Sequence, residues 1–184
     1  MVKNPQRWRQ VSDTVEALAY LVKDYDKTGT ELYLASDPTR YARKAPKGHS
    51  NELFHFVSIH GNTKGSVPNT NMELSLDKVL EKAKVINGTD HGPSRGSRRL
   101  RFRGHAESSS SVSIYILTDA MWDNDHDDGR PAVTNSIRRL IQQMKDNHRP
   151  RTSVMIQFIQ FGDDPAATRR LQYLDDELGK DLDL

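Results

Sequence analysis

Val112-Ser113-Ile114-Tyr115-Ile116-Leu117-Thr118-Asp119 decides the fold. Seven residues dominated by β-branched, aromatic and long aliphatic side chains read as a strand covered on both faces, and Asp119 closes it with a carboxylate. A second such run, Ser153 to Phe161, follows after a helical stretch from about Val133 to Asp146 that carries Ile137, Leu140, Ile141 and Met144 on one face. Strand, helix, strand is the pattern of a parallel crossover. Open α/β sheets bind ligands just outside the carboxyl ends of such strands, so Asp119 is the leading candidate functional residue.

Working outward, Asn4-Pro5 reads as a helix start, and Trp8, Val11, Val15, Leu18, Ala19 and Val22 recur at helical spacing, which predicts a helix from Pro5 to Lys23. A turn at Asp26 to Gly29 leads into a strand over Glu31 to Ser36, expected to stop before Asp37-Pro38. Residues around Tyr41 suit a weak edge strand at most. Ser50 is placed to cap a short helix from Asn51 to Ile59, and Met72 to Ile86 carries Leu76, Val79, Leu80 and Ala83 at helical spacing. Asp164-Pro165 caps a final helix whose core stripe is Leu171, Leu174 and Leu178. The alternation predicts a three-layer, Rossmann-like α/β sandwich with a mostly parallel sheet, in a single domain spanning residues 1–184.

Composition narrows the function classes. A formal net charge of +2 carries no global nucleic-acid signature, and the absence of cysteine suits a reducing compartment. No apolar run reaches the roughly 18 residues of a membrane span. The expectation is an intracellular, cytoplasmic protein without a membrane partner. Residues 87–111 read as a polar loop with four consecutive serines, Ser108 to Ser111, and a basic stretch: Arg95, Arg98, Arg99, Arg101 and Arg103 around Phe102. Arginine forks beside an aromatic ring can grip phosphates and stack on bases, so these five are the candidate polyanion site, although a solvated insertion explains them more simply.

The pieces Arg7-Trp8-x-x-Val11, Tyr25-Asp26 followed by Glu31-Leu32-Tyr33-Leu34, Ile116-Leu117-Thr118-Asp119, and Ile156 to Pro165 running into Leu174-Asp175-Asp176-Glu177-Leu178 resemble, in order and spacing, the von Willebrand factor type A (vWA) domain, in particular its intracellular fungal relatives. The resemblance implies a Rossmann-like fold with a metal-ion-dependent adhesion site, in which an Asp-x-Ser-x-Ser loop, a threonine and an aspartate hold Mg²⁺ through oxygen ligands. By position the aspartate falls on Asp119. The threonine falls best on Thr70, with Leu76, Val79 and Leu80 following at the family's spacing; Val67 is the competing alignment and could coordinate nothing.

The chain departs from that family at both ends. No Asp-x-Ser-x-Ser precedes Trp8, the central first strand that should carry it is missing, and only Gly-Lys-Asp-Leu-Asp-Leu follows Leu178. Without that strand, the strands at Glu31 and Val112 must pair with each other or leave ladder groups open. The chain is therefore read as a domain cut short rather than rearranged, with no cofactor as written and Mg²⁺ only if the upstream ligand loop exists.

Other patterns carry less. Asp123 to Gly129 has the look of a calcium loop, but its glycine is one place late and Thr134 stands where a bidentate glutamate belongs. Gly92-Pro93-Ser94-Arg95-Gly96 has the letters of a hydrolase nucleophile elbow, outside the strand-to-helix turn that motif requires. The leading expectation is a non-enzymatic vWA-like domain that binds an unidentified protein and keeps an incomplete metal site. The alternatives are a fragment of a complete Mg²⁺-dependent adhesion domain that binds an acidic residue of its partner, and polyanion binding through the arginine loop.

Overall fold

A computed structural model of the chain describes residues 5–22, 24, 29–44, 51–61, 71–82, 111–122 and 129–181. Helix α1 spans Pro5–Leu21 and buries Val11, Val15 and Ala19, one residue for each turn along a single stripe. The two apolar residues at its end, Tyr20 and Leu21, are exposed. Strands β1 (Thr30–Leu34) and β2 (Asp37–Lys44) form an antiparallel hairpin in which Thr30 faces Lys44 and Tyr33 faces Tyr41. Here the structure corrects the expectation of a strand that runs on to Ser36 and ends at Asp37-Pro38. Ala35 and Ser36 make the turn, and Pro38 lies at the start of β2, where a missing donor is tolerated. Stacking of Tyr33 on Tyr41, with ring centroids 5.5 Å apart, supplies the cross-strand contact that the charged sequence of β2 hides.

Helix α2 (Asn51–Gly61) buries Leu53 and Val57, and α3 (Met72–Lys82) buries Met72, Leu76 and Leu80. Ala83 to Ile86, expected to continue α3, lie outside the described residues. Strand β3 runs from Val112 to Thr118 and β4 from Val154 to Gln160. They pair in parallel, in register from Val112 opposite Val154 to Thr118 opposite Gln160. Helix α4 (Thr134–Asp146) makes the crossover that a parallel pair requires. Helix α5 (Pro165–Gln172) continues through a π-helical turn, Tyr173–Glu177, into α6 (Leu178–Asp181). The expected final helix is thus present, with a widened turn that apolar spacing does not announce.

The two-residue period of β3 and β4 sends their side chains to two cores. Val112, Ile114, Ile116, Val154, Ile156 and Phe158 pack on a cluster built from α3, α4 and Ala167 of α5. Leu117 and Ile159 face the other way and join Leu32 and Ala42 of the hairpin against Val11, Val15, Leu53 and Val57 of α1 and α2. The molecule is a mixed α/β protein, and among the described residues four strands make two separate two-stranded sheets, one antiparallel and one parallel. Strands β1 and β3 contribute to the same α1/α2 core without sharing a ladder. Side-chain bonds join α3 to α4: the Ser136 hydroxyl of α4 donates to the Glu73 carbonyl at 3.1 Å, and Arg139 pairs with both Glu73 and Asp77 of α3. These contacts, the hydrogen bond to Asp77 first, raise the already high pKa of Arg139.

Among the described residues, no helix is long and apolar enough to cross a membrane.

Candidate functional site

The carboxyl end of β3 is tied into a closed turn. Thr118 is buried, and its hydroxyl oxygen accepts the backbone N–H of Ala120 at 2.9 Å and the indole N–H of Trp122 at 3.2 Å. Its carbonyl accepts the N–H of Phe161 at 2.8 Å, which extends the β3–β4 ladder by one bond. Trp122 then packs on Phe158, with ring centroids 6.0 Å apart. Ala120 is fully buried and sits at φ +52°, in the left-handed region that disfavours a residue with a Cβ. Such strain persists where the surroundings over-determine it, and the two bonds to Thr118 Oγ1 do so here.

Asp119 occupies the outer side of this turn. Its Oδ1 accepts a long bond from the Met121 N–H at 3.4 Å, and its Oδ2 lies 3.7 Å from Nη1 of Arg7 in the first turns of α1. The side chains are 15% and 28% exposed respectively, so the pair is largely shielded from water. Gly162, two residues past the end of β4, has φ +98°, and a Cβ built on it would lie 2.7 Å from Arg7 Nη2. Arg170 of α5 reaches the same turn, donating from Nη1 to the Ala120 carbonyl at 3.3 Å. Asp164 serves α5: its Oδ1 accepts from the N–H groups of Ala166 and Ala167 at 2.8 and 3.0 Å. Those bonds, that of Ala167 first, hold its carboxyl below the usual carboxylate range.

The structure therefore puts Asp119 where the sequence placed it, at the carboxyl edge of a parallel strand pair. Thr70, the second candidate ligand, lies outside the described residues, as do Arg95, Arg98, Arg99, Arg101 and Arg103, the stretch Gly92 to Gly96, and Asp123 to Asp128. The described donors do not suit a magnesium ion. Six oxygens at about 2.1 Å are wanted, yet no group of three or more His, Cys, Asp or Glu side chains among the described residues could hold a metal ion. The Arg7 guanidinium, with Nη1 3.7 Å from Asp119 Oδ2, repels a cation at this position.

Arg7, Gly162 and Arg170 were not singled out as site residues from sequence. A glycine directly after an apolar strand that ends level with Asp119 was the available signal for Gly162, whereas nothing local points from Arg7 to Asp119. A second polar cluster lies on the hairpin. There the Tyr33 hydroxyl donates to Glu31, and Lys82 Nζ sits 3.2 Å from the ring centroid of Tyr41 and 4.8 Å from that of Tyr33. Burial, and then the hydrogen bond to Glu31, push the Tyr33 phenol well above its ordinary pKa.

No family model matches the chain, and no curated protein and no solved structure matches it.

Proposed function

We propose that the chain is a non-enzymatic interaction domain of the vWA kind, which binds a protein partner at the carboxyl edge of β3 and β4 and carries only a remnant of an adhesion-type metal site, Asp119. The observation that carries the reading is the position of Asp119 at the end of a parallel strand, beside the first turns of α1. Ligands of open α/β sheets bind at this place. The strained Ala120 turn next to it is the kind of feature that accumulates at binding sites.

The same reading takes the helices as two outer layers, α1 and α2 on one face and α3, α4 and α5 on the other. A further strand between β1 and β3 would then complete one sheet. The half-buried state of Val112, Ile114, Ile116 and Leu117 supports such an open side, because a strand enclosed on both faces and both edges would bury them fully.

Site-specific photo-crosslinking tests the binding edge. Met121 is 51% exposed next to Asp119, and Ile59 is 50% exposed on α2. A photoreactive residue at position 121, introduced into the full chain in its native cells, is expected to capture a discrete protein adduct that the same residue at position 59 does not. Equal capture at both positions, or none at 121, would remove this edge as the interaction surface.

A further inference from the structure

Three elements meet at the carboxylate of Asp119, and each contributes something that suits a guanidinium. From the residue after β3 comes a carboxylate that is only 15% exposed and so needs a positive or donor neighbour. From α1 comes Arg7, with Nη1 3.7 Å from Oδ2. Past the end of β4 comes Gly162, whose missing side chain leaves the space that Nη2 and Cζ of Arg7 fill; a Cβ would lie 2.7 Å from the first and 2.9 Å from the second. Any side chain at 162 would make the Arg7 guanidinium shift from this position. The adjoining carbonyl of Ala120 is capped by a second arginine, Arg170, at 3.3 Å.

A divalent ion at Asp119 would have to share this space with Arg7, at a distance where like charges oppose each other strongly in a part-buried setting. We infer that Arg7 is the resident cation of Asp119: a covalently tethered guanidinium takes the place that a divalent ion holds in adhesion-type sites, so the edge is assembled without metal. The inference rests on the interaction-domain reading for the use of the edge; the ion pair and its glycine seat stand apart from it. Arg7 is a positioning residue here. It fixes the first turns of α1 to the ends of both parallel strands.

The test uses the full chain and begins with Mn²⁺, a paramagnetic substitute for Mg²⁺. Water-proton relaxation should show no saturable Mn²⁺ binding up to about 1 mM, a range in which a built oxygen site would fill. In thermal unfolding, Arg7→Gln and Asp119→Asn should each lower Tm by about 2–4 °C, and the double variant should fall no further than the worse single one, as coupled partners do. Gly162→Ala should cost clearly more in the parent chain than in an Arg7→Ala background, where only the φ penalty remains. Saturable Mn²⁺ uptake that Asp119→Asn abolishes would overturn the inference. So would additive losses at 7 and 119 together with an equal cost of Gly162→Ala in both backgrounds. If the variants fail to fold, the Mn²⁺ result on the parent chain decides. A failed crosslink at Met121 would sink the interaction reading and leave the Arg7–Asp119 coupling untouched, so the two failures are distinguishable.

Discussion

The hydroxyl of Ser75, in the first turn of α3, donates to the carbonyl of Ala35 at 2.6 Å, across forty residues of sequence. That oxygen belongs to the β1–β2 turn, so one side chain fastens the hairpin to the helix that also carries Leu76 and Leu80. The Asn71 carbonyl competes for the same proton at 2.9 Å, as serine hydroxyls in helices commonly allow, but the Ala35 bond is the shorter.

Ser75→Ala should therefore loosen the hairpin more than the rest of the molecule. Ser75 is buried, and its loss leaves the Ala35 carbonyl without that donor, a cost of about 1–2 kcal/mol. Urea denaturation would read the global loss. Amide exchange should speed up in Thr30–Lys44 and hardly change in Val112–Thr118; uniform acceleration across both would count against a local fastening role.

Asp164 gives the fold a pH dependence with a definite sign. Its folded pKa is depressed, so the cap contributes fully above the ordinary aspartate pKa, about 3.9, and that contribution is lost as pH falls through the lower folded value. Asp164→Ala should lower Tm at neutral pH and differ progressively less from the parent as the pH drops below about 4. Asp164→Asn should retain much of the cap, since asparagine caps as well as aspartate, while losing the acid sensitivity. A Tm difference that stays constant through the acid range would show that the two N–H bonds do not depend on the charge.

How much of this was legible in the sequence depended on where the information lay. Strands β3 and β4 and helix α4 fell within a residue of their expected limits, because their apolar side chains face a core on a fixed period and that period is written in the chain. Strand β2 is barely legible. Its stabilising contact, Tyr33 on Tyr41, joins residues across a hairpin, while Pro38 and the basic residues around it argue locally against a strand. The charge partner of Asp119 was not legible at all. Arg7 is more than a hundred residues away, and only the packing of α1 across the end of the sheet brings the two together. Pairing between strands was hidden for the same reason: a strand's composition reports burial, not which neighbour accepts its hydrogen bonds.

His148 illustrates a local feature that residue identity conceals. It follows α4 at φ +50°, its N–H donates to Lys145 O at 3.1 Å, and the N–H of Arg149 donates to Met144 O at 2.9 Å. That double bond pattern is the left-handed helix stop usually built on glycine. His148 is exposed, so little packing is lost by removing its side chain. His148→Gly should stabilise the protein by about 0.5–1 kcal/mol through relief of the left-handed penalty, seen as a higher urea midpoint with an unchanged slope. A lower midpoint would mean that the imidazole makes a contribution larger than the strain it causes.

Thr118 allows the sharpest test of the turn that presents Asp119. Its hydroxyl oxygen accepts two buried donors, the Ala120 N–H and the Trp122 indole N–H. Thr118→Val keeps the β-branched shape that suits the end of a strand and removes only the acceptor. Each donor left buried without a partner costs about 1–3 kcal/mol, and the strained Ala120 turn loses both of the bonds to Thr118 Oγ1 that hold it. Stability should fall by roughly 2–4 kcal/mol, within that range for two donors. Trp122 fluorescence should shift to the red as the indole reaches for water. Thr118→Ser restores the acceptor while deleting a methyl group, so it should recover most of the stability and the parent emission. The Phe161 N–H bond to the Thr118 carbonyl is independent of the side chain and should survive in both variants, leaving amide protection at Phe161 as an internal control. If Thr118→Val matched Thr118→Ser in stability and emission, the Ala120 turn would be held by packing alone, and the position of Asp119 would owe nothing to the hydroxyl that precedes it.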